Sequence, residues 1–260
     1  MLEAGIIFAA GIWAGAINVV VGSGTLVTFP TLLLFGYPPL VANISNNIGM
    51  VAGGLSGIYG YRRELRGGGM AIFARLLPAS FGGALIGAVL LLVLPDEVFT
   101  TIVPVLIAAG LLMVLAAPQL QRRAARRQTG KSPSGDSARI QTRIGLIAGV
   151  FAVSIYGGYF GAAQGILLVG LMGMLMNESL QRVNALKNVL ATLVNSVAAL
   201  TFMTVAWDRI DWAVVALIAV GSFIGGLVGA HVGRRLKPGV LRAVIVVVGA
   251  LAIVKIAAFG

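Results

Sequence analysis

The 260-residue chain has no cysteine, which excludes disulfides and thiolate-bound metals. It has a single histidine, His231, so a multi-histidine metal site cannot form. No Gly-x-x-x-x-Gly-Lys motif occurs, so ATP is not the direct drive of any activity. The hydrophobic runs hold no Ser/His/Asp set, which argues against an enzyme, and nothing calls for a cofactor. Acids are scarce: Glu3, Glu64, Asp96, Glu97, Asp136, Glu178, Asp208 and Asp211 are all of them, each at the end of a run or between runs. No carboxylate is expected at mid-membrane, where proton relays and cation pumps usually need one. A site in such a chain is neutral to positive, and its expected substrate is an anion.

What is abundant is apolar. Charged residues make up 10% of the chain, against about 25% in soluble domains. Hydrophobic residues make up 58%, and the mean hydropathy is +0.99. One spanning helix needs about 20 apolar residues. Spanning strands would alternate in polarity over roughly 10 residues. The runs here are longer and apolar on every face, so they read as helices of a multi-pass inner-membrane protein in the lipid bilayer. Glu3 stands where a basic n-region would be, so no cleavable signal is expected. The net charge of +11 lies mostly in short stretches between runs, where it sets orientation and does not indicate nucleic-acid binding.

The stretch 15–47 organises the rest. A first run, 3–21, stops at Gly22-Ser23-Gly24-Thr25, and a second, 26–35, is too short to cross about 30 Å of hydrocarbon. It is a half-helix or one arm of a re-entrant hairpin. Tyr37-Pro38-Pro39 punctuates, and spans follow over 40–61, 76–94 and 98–117. A basic connector, 118–143, carries seven Lys/Arg against Asp136. It reads as a flexible cytoplasmic tether and topology signal, with contact to anionic lipid as the functional alternative. The order then repeats: a run over 144–160, a turn at Gly161-Ala162-Ala163-Gln164-Gly165, a short run over 166–176, and spans over 180–206, 212–232 and 240–258. The expected organisation is a first repeat (1–117), the linker, and a second repeat (144–260).

Charge orients the halves. The loop after the amide-bearing span is basic in the first half (Arg62, Arg63, Arg66), and its counterpart is Asp208-Arg209-Ile210-Asp211. The next turn is acidic in the first half (Asp96, Glu97) and basic in the second (Arg234, Arg235, Lys237). Under the positive-inside rule the halves are inverted relative to each other. The expected fold is therefore an all-α polytopic membrane protein. It has two inverted-topology repeats of about five segments each, with broken or re-entrant helices at the centre. The 62–75 loop, the linker and the 234–242 loop are then cytoplasmic, and both termini lie outside.

Breaks in membrane helices expose backbone N–H and C=O groups, which survive facing protein or a watery cavity. Gly22, Gly24, Gly161 and Gly165 let a ligand approach the backbone, and Ser23, Thr25 and Gln164 add side-chain groups. Small residues also serve helix packing, and the chain has 36 glycines. Asn43, Asn46 and Asn47 share one face of the third segment; Asn184, Lys187 and Asn188 hold the matching places in the second half. Lys187 either serves the site or snorkels to the interface. Asn195 reads as an interhelical hydrogen bond.

The glycine-rich first break, the run to Pro30, the Ala42-Asn43 start of the next helix and the inverted second copy resemble the sulfite exporter TauE/SafE family. The resemblance covers nearly the whole chain outside 118–143. In the family both glycine motifs usually hold more consecutive glycines. The resemblance implies a permease for sulfite, a sulfonate or a related sulfur-containing anion. Export of such an anion is the leading expectation. Proton-coupled uptake of an organic anion, with Lys187 as the titrating group, and a scaffold without flux are the alternatives. Assembly into a homo-oligomer stays open.

Overall fold

The computed structural model describes residues 1–66, 68–128, 136–232 and 238–259. The helices are α1 (Leu2–Val20), α2 (Thr25–Leu34), α3 (Pro39–Gly60), α4 (Arg62–Leu65), α5 (Gly69–Val93), α6 (Asp96–Gln128), α7 (Asp136–Tyr159), α8 (Gln164–Leu175), α9 (Leu180–Val205), α10 (Trp212–Val232) and α11 (Pro238–Phe259), with one 3-10 turn at Trp207–Arg209. No strand occurs among the described residues. The protein is all-helical, and six of these helices are long and apolar enough to cross a membrane.

Two differences from the sequence reading concern polarity and length. α3 has 22 residues, about 33 Å, yet it is not among the six apolar helices. Its polar residues Asn43, Ser45, Asn46, Asn47 and Ser56 are all buried against protein, so lipid does not meet them. α6 and α7 also reach into the stretch read as a tether, to Gln128 and from Asp136. The remainder of that tether, 129–135, lies outside the described residues, as do 233–237 with Arg234, Arg235 and Lys237.

The helix partners are exchanged between the halves. α10 packs on α1 and α3, and α5 packs on α7 and α9. α11 packs on α2 in the same way that α6 packs on α8. Glycines make these seams possible, because lipid gives helices no hydrophobic drive to associate and close backbone approach supplies the contact. A Cβ on Gly225 of α10 would lie 1.9 Å from Ile12 O of α1, and one on Gly15 would lie 2.2 Å from Ser222 O. At the α5–α7 seam a Cβ on Gly87 would lie 2.0 Å from Ile155 O.

Both short helices double back. Tyr37, just after α2, donates its hydroxyl to Glu3 Oε1 near the start of α1 (2.8 Å), so α1 and α2 form a hairpin. In α7 and α8 the glycines Gly149 and Gly145 face Leu171 and Leu175, so residue numbers fall on one helix as they rise on the other. The hairpin alternative for 3–35 is thus the observed one.

Charged turns gather at the helix ends. Glu3, Tyr37, Ser45 and Asp211 lie together, with the Asp211 N–H donating to Ser45 Oγ (2.9 Å). Arg209 pairs with Asp96 (2.9 Å), joining the α5–α6 turn to the turn before α10. Arg62 and Arg63, after α3, share a cavity with His231 near the end of α10. The Asp96–Arg209 pair is half-exposed on both sides, and such pairs contribute about 0–1 kcal/mol. Arg209→Ala should therefore lower thermal stability by less than about 1 kcal/mol, as read by unfolding in detergent.

Candidate functional site

α1 and α7 end by the same device. The N–H groups of Val21 and Gly22 both donate to Ile17 O, at 2.7 and 3.1 Å. Those of Phe160 and Gly161 both donate to Tyr156 O, at 2.9 and 3.1 Å. Gly22 (φ +88°) and Gly161 (φ +77°) take the left-handed conformation that closes a helix without a Cβ penalty. The chain then turns into α2 through Ser23 and Gly24, and into α8 through Ala162 and Ala163. Ala163, at φ +60°, is the one described non-glycine residue with positive φ.

The two breaks touch through their backbones. Gly165 N–H donates to Gly22 O at 3.0 Å. A Cβ on Gly165 would lie 2.4 Å from Gly22 Cα, and one on Gly22 would lie 2.5 Å from Gly165 Cα. Glycine at both places is therefore a condition for the contact. Gly24 abuts Ala14 O and Met50, so it serves packing inside its own half.

Lys187 comes to this junction from α9. Its side chain is 1% exposed, so it is buried and does not snorkel. Its ammonium donates to Asn18 O and Val19 O, both at 2.9 Å. These carbonyls belong to the last turn of α1, where intrahelical donors run out and the helix carries partial negative charge. No carboxylate pairs with Lys187 among the described residues. Asn43 makes the opposite crossing: from α3 its Nδ2 donates to Tyr159 O at the end of α7 (3.1 Å). Each half thus sends one side chain from its third helix to the broken end of the other half.

Among the described residues of the helices and breaks that meet here, six buried side-chain polar atoms have no partner. They are Ser23 Oγ, Asn43 Oδ1, Asn47 Oδ1, Tyr159 OH, Gln164 Nε2 and Asn188 Nδ2. Buried polar groups in folded proteins are mostly paired, and each orphan costs about 1–3 kcal/mol. Four of these atoms belong to groups that can donate: the Ser23 and Tyr159 hydroxyls and the amide nitrogens of Gln164 and Asn188. An oxyanion would accept from such groups.

Not every expected residue faces the junction. Asn46 turns toward α2, where Thr28 Oγ1 donates to its Oδ1 and its Nδ2 reaches Thr25 Oγ1 at 3.5 Å. It and Thr25 therefore brace the first hairpin against α3. Asn184 and Thr25 are half-buried. The Gln164 carboxamide lies over Gly157, at which a Cβ would come within 2.4 Å of Gln164 Cδ. The sequence reading missed the Asn18 and Val19 carbonyls and Tyr159. The available signals for the carbonyls were separate ones: α1 ends at a glycine, leaving acceptors without intrahelical donors, and a lysine stands inside an apolar helix.

Apolar groups flank the junction. Phe29 packs edge-on against Phe160 (centroids 5.1 Å apart), and Phe99 packs on Tyr159 (5.7 Å). Phe99 lies three residues into α6 from Asp96, so this cluster stands between the junction and the Asp96–Arg209 end. A second apolar cluster joins Val19 and Leu186 to Tyr61 and Leu65, beside the arginines of α4.

Residues 7–256 match the family described as Sulfite exporter TauE/SafE. Among named relatives, the probable membrane transporter protein YfcA of Escherichia coli (strain K12) is 26% identical over 253 residues, covering 97% of this chain and 88% of the relative. A probable membrane transporter protein of Haemophilus influenzae is 26% identical over 245 residues, covering 93% and 89%. The probable membrane transporter protein ORF9 of a Sinorhizobium species is 25% identical over 251 residues, covering 95% and 90%. No solved structure matches the chain. The match runs through both glycine breaks, both short helices and the amide-bearing α3 and α9, and on that extent the chain belongs to the sulfite exporter TauE/SafE family.

Proposed function

We propose that this protein is a secondary transporter that exports a small sulfur-containing anion, sulfite or an organosulfonate, by alternating access. Membership of a transporter-named family supports the transport reading. One observation carries the choice of an anion: Lys187 is a buried cation whose partners among the described residues are neutral carbonyls, at the contact of two helix breaks. An anion supplies the missing counter-charge, and its oxygens accept from the Ser23 hydroxyl and the amides of Gln164 and Asn188.

The two halves act as inverted repeats, 1–117 and 144–260, joined by the 118–143 linker, with the basic turns in the cytoplasm and both termini outside. The exchanged pairs α1–α10 and α7–α5 support this, as do the matching caps at Gly22 and Gly161. Ser23, Gln164, Lys187 and Asn188 are all buried, so the arrangement corresponds to a closed centre. Separation of the α4-side apolar cluster opens it to the cytoplasm, and parting of Phe29 from Phe160 opens it to the other side. An inside-negative potential favours anion exit by about 2.3 kcal/mol per charge per 100 mV, so export needs no coupling ion.

Purified protein in liposomes should release labelled sulfite or a sulfonate faster than protein-free liposomes, and faster when the interior is negative. Equal release with and without protein, for sulfite and every sulfonate tried, removes the proposal. Lys187 also favours a second reading, proton-coupled uptake. Accumulation driven by an imposed pH gradient, lost in Lys187→Met while binding persists, would favour that version.

A further inference from the structure

A cavity of about 330 Å³ lies away from the central junction, between the starts of α5 and α7 and the turn after α8. Its polar wall holds two arginines, Arg75 and Arg143, together with Asn177. Its one acid, Glu178, is in an ion pair with Arg182 at 2.6 Å. The opposite wall is apolar, built from Ile72, Leu76, Leu146, Ile147 and Met176. Ile147 also lines a second hollow of about 420 Å³, whose other walls are Pro78, Ala79, Ile144, Ala148 and Phe151. That hollow is an open groove between α5 and α7, without a charged residue in its walls.

The two hollows form one path of graded polarity. Along α7 the lining runs from Arg143 to Phe151, about 12 Å of helix. Along α5 it runs from Arg75 to Pro78 and Ala79. The charge sits at one end of the path, and the remainder is apolar surface facing outward from the bundle, with Ile144 61% exposed. A soluble anion would use the arginines and leave the groove empty. An apolar molecule would use the groove and leave two cations unanswered. The shape and the charge together fit an amphiphile with an anionic head.

We propose that this cavity and groove hold one anionic glycerophospholipid from the leaflet at the arginine-rich end. Its phosphate lies between Arg75 and Arg143, whose planar guanidiniums match phosphate oxygens in pairs. Asn177 donates to the head group, and one acyl chain lies along Ile147, Ala148 and Phe151. The lipid bridges α5 of the first half to α7 of the second, at the seam closed by Gly83 and Gly87. The site is separate from the central junction and does not depend on which anion is carried.

The test uses the full chain in mixed micelles, titrated with phosphatidylglycerol or phosphatidylcholine and read by native mass spectrometry. One phosphatidylglycerol should be retained at about tenfold lower concentration than phosphatidylcholine. Arg75→Gln with Arg143→Gln should weaken retention by about 30-fold, from two interfacial arginines. Ile147→Trp, with both arginines intact, should weaken it as well by filling the groove. Glycerol phosphate at millimolar concentration should not displace the lipid. Equal retention of the two lipids would overturn the site, as would wild-type retention by the arginine double variant. Displacement by glycerol phosphate would reduce the site to an anion pocket and equally overturn it. Thermal unfolding in neutral detergent checks that the variants fold, since all three side chains lie on the surface.

Discussion

On the transport reading proposed above, Lys187→Met should lower anion flux by about 100-fold while the protein still folds. A hydrogen bond to a charged group contributes about 1.5–3 kcal/mol, and each 1.4 kcal/mol is tenfold in affinity. Removing Lys187, the one described cation at the junction, should therefore take one to two orders of magnitude from binding of the proposed anion. The cost in stability is smaller and of mixed origin. Asn18 O and Val19 O lose their donor, but a buried charge without a carboxylate partner disappears as well, which offsets part of the loss. The measurement is paired: flux of labelled anion from liposomes, and the rise in melting temperature on adding substrate. Wild-type flux in the variant, with a lower melting temperature, would make Lys187 a cap for α1 and remove it from the anion site.

Gly165→Ala acts on the fold. The new Cβ would lie 2.4 Å from Gly22 Cα, 2.9 Å from Gly22 O and 3.0 Å from Lys187 Cδ. Two of those atoms are backbone held by helix ends, so they cannot move aside as a flexible side chain would. Relief comes only if the hairpins part, which breaks the Gly165 N–H to Gly22 O bond. Overpacking costs about 1–3 kcal/mol and an orphaned buried backbone group about 1–3 more. We expect a loss of about 3–5 kcal/mol, read as a fall in melting temperature in detergent. Gly5→Ala is the control, because no atom lies within 4 Å of a Cβ there. It should be neutral or stabilise by up to about 1 kcal/mol, since alanine is the better helix former. A Gly165→Ala protein as stable as wild type would mean that the breaks do not press on each other.

The residues of the junction were legible to different degrees. Gly22 and Gly161 were readable because a small-residue turn interrupting an apolar run has few other meanings in a membrane. Lys187 was readable as a rarity, but not its acceptors: backbone carbonyls carry no side-chain signature. Asn46 has the same residue type and helical face as Asn43 and Asn47, so spacing alone assigned all three one role. Only the packing of α2 separates them, by offering Asn46 the Thr25 and Thr28 hydroxyls. Tyr159 carries no signal of its own in the sequence, and its place beside Asn43 depends on a contact 116 residues away.

Composition and periodicity alone determined that this is an all-helical membrane protein, where its helices break, and which segments are too short to cross. Those properties follow from the solvent: hydrocarbon forces each apolar run to satisfy its own backbone, so the run length dictates the element. Which helix lies beside which was decided by the tertiary structure. The exchange of α1 with α10 and of α7 with α5, the hairpins, and the meeting of Gly22 with Gly165 all depend on steric fit between distant glycine surfaces. Lipid is indifferent to which apolar faces meet, so that choice rests on close backbone approach, which no local stretch of residues encodes.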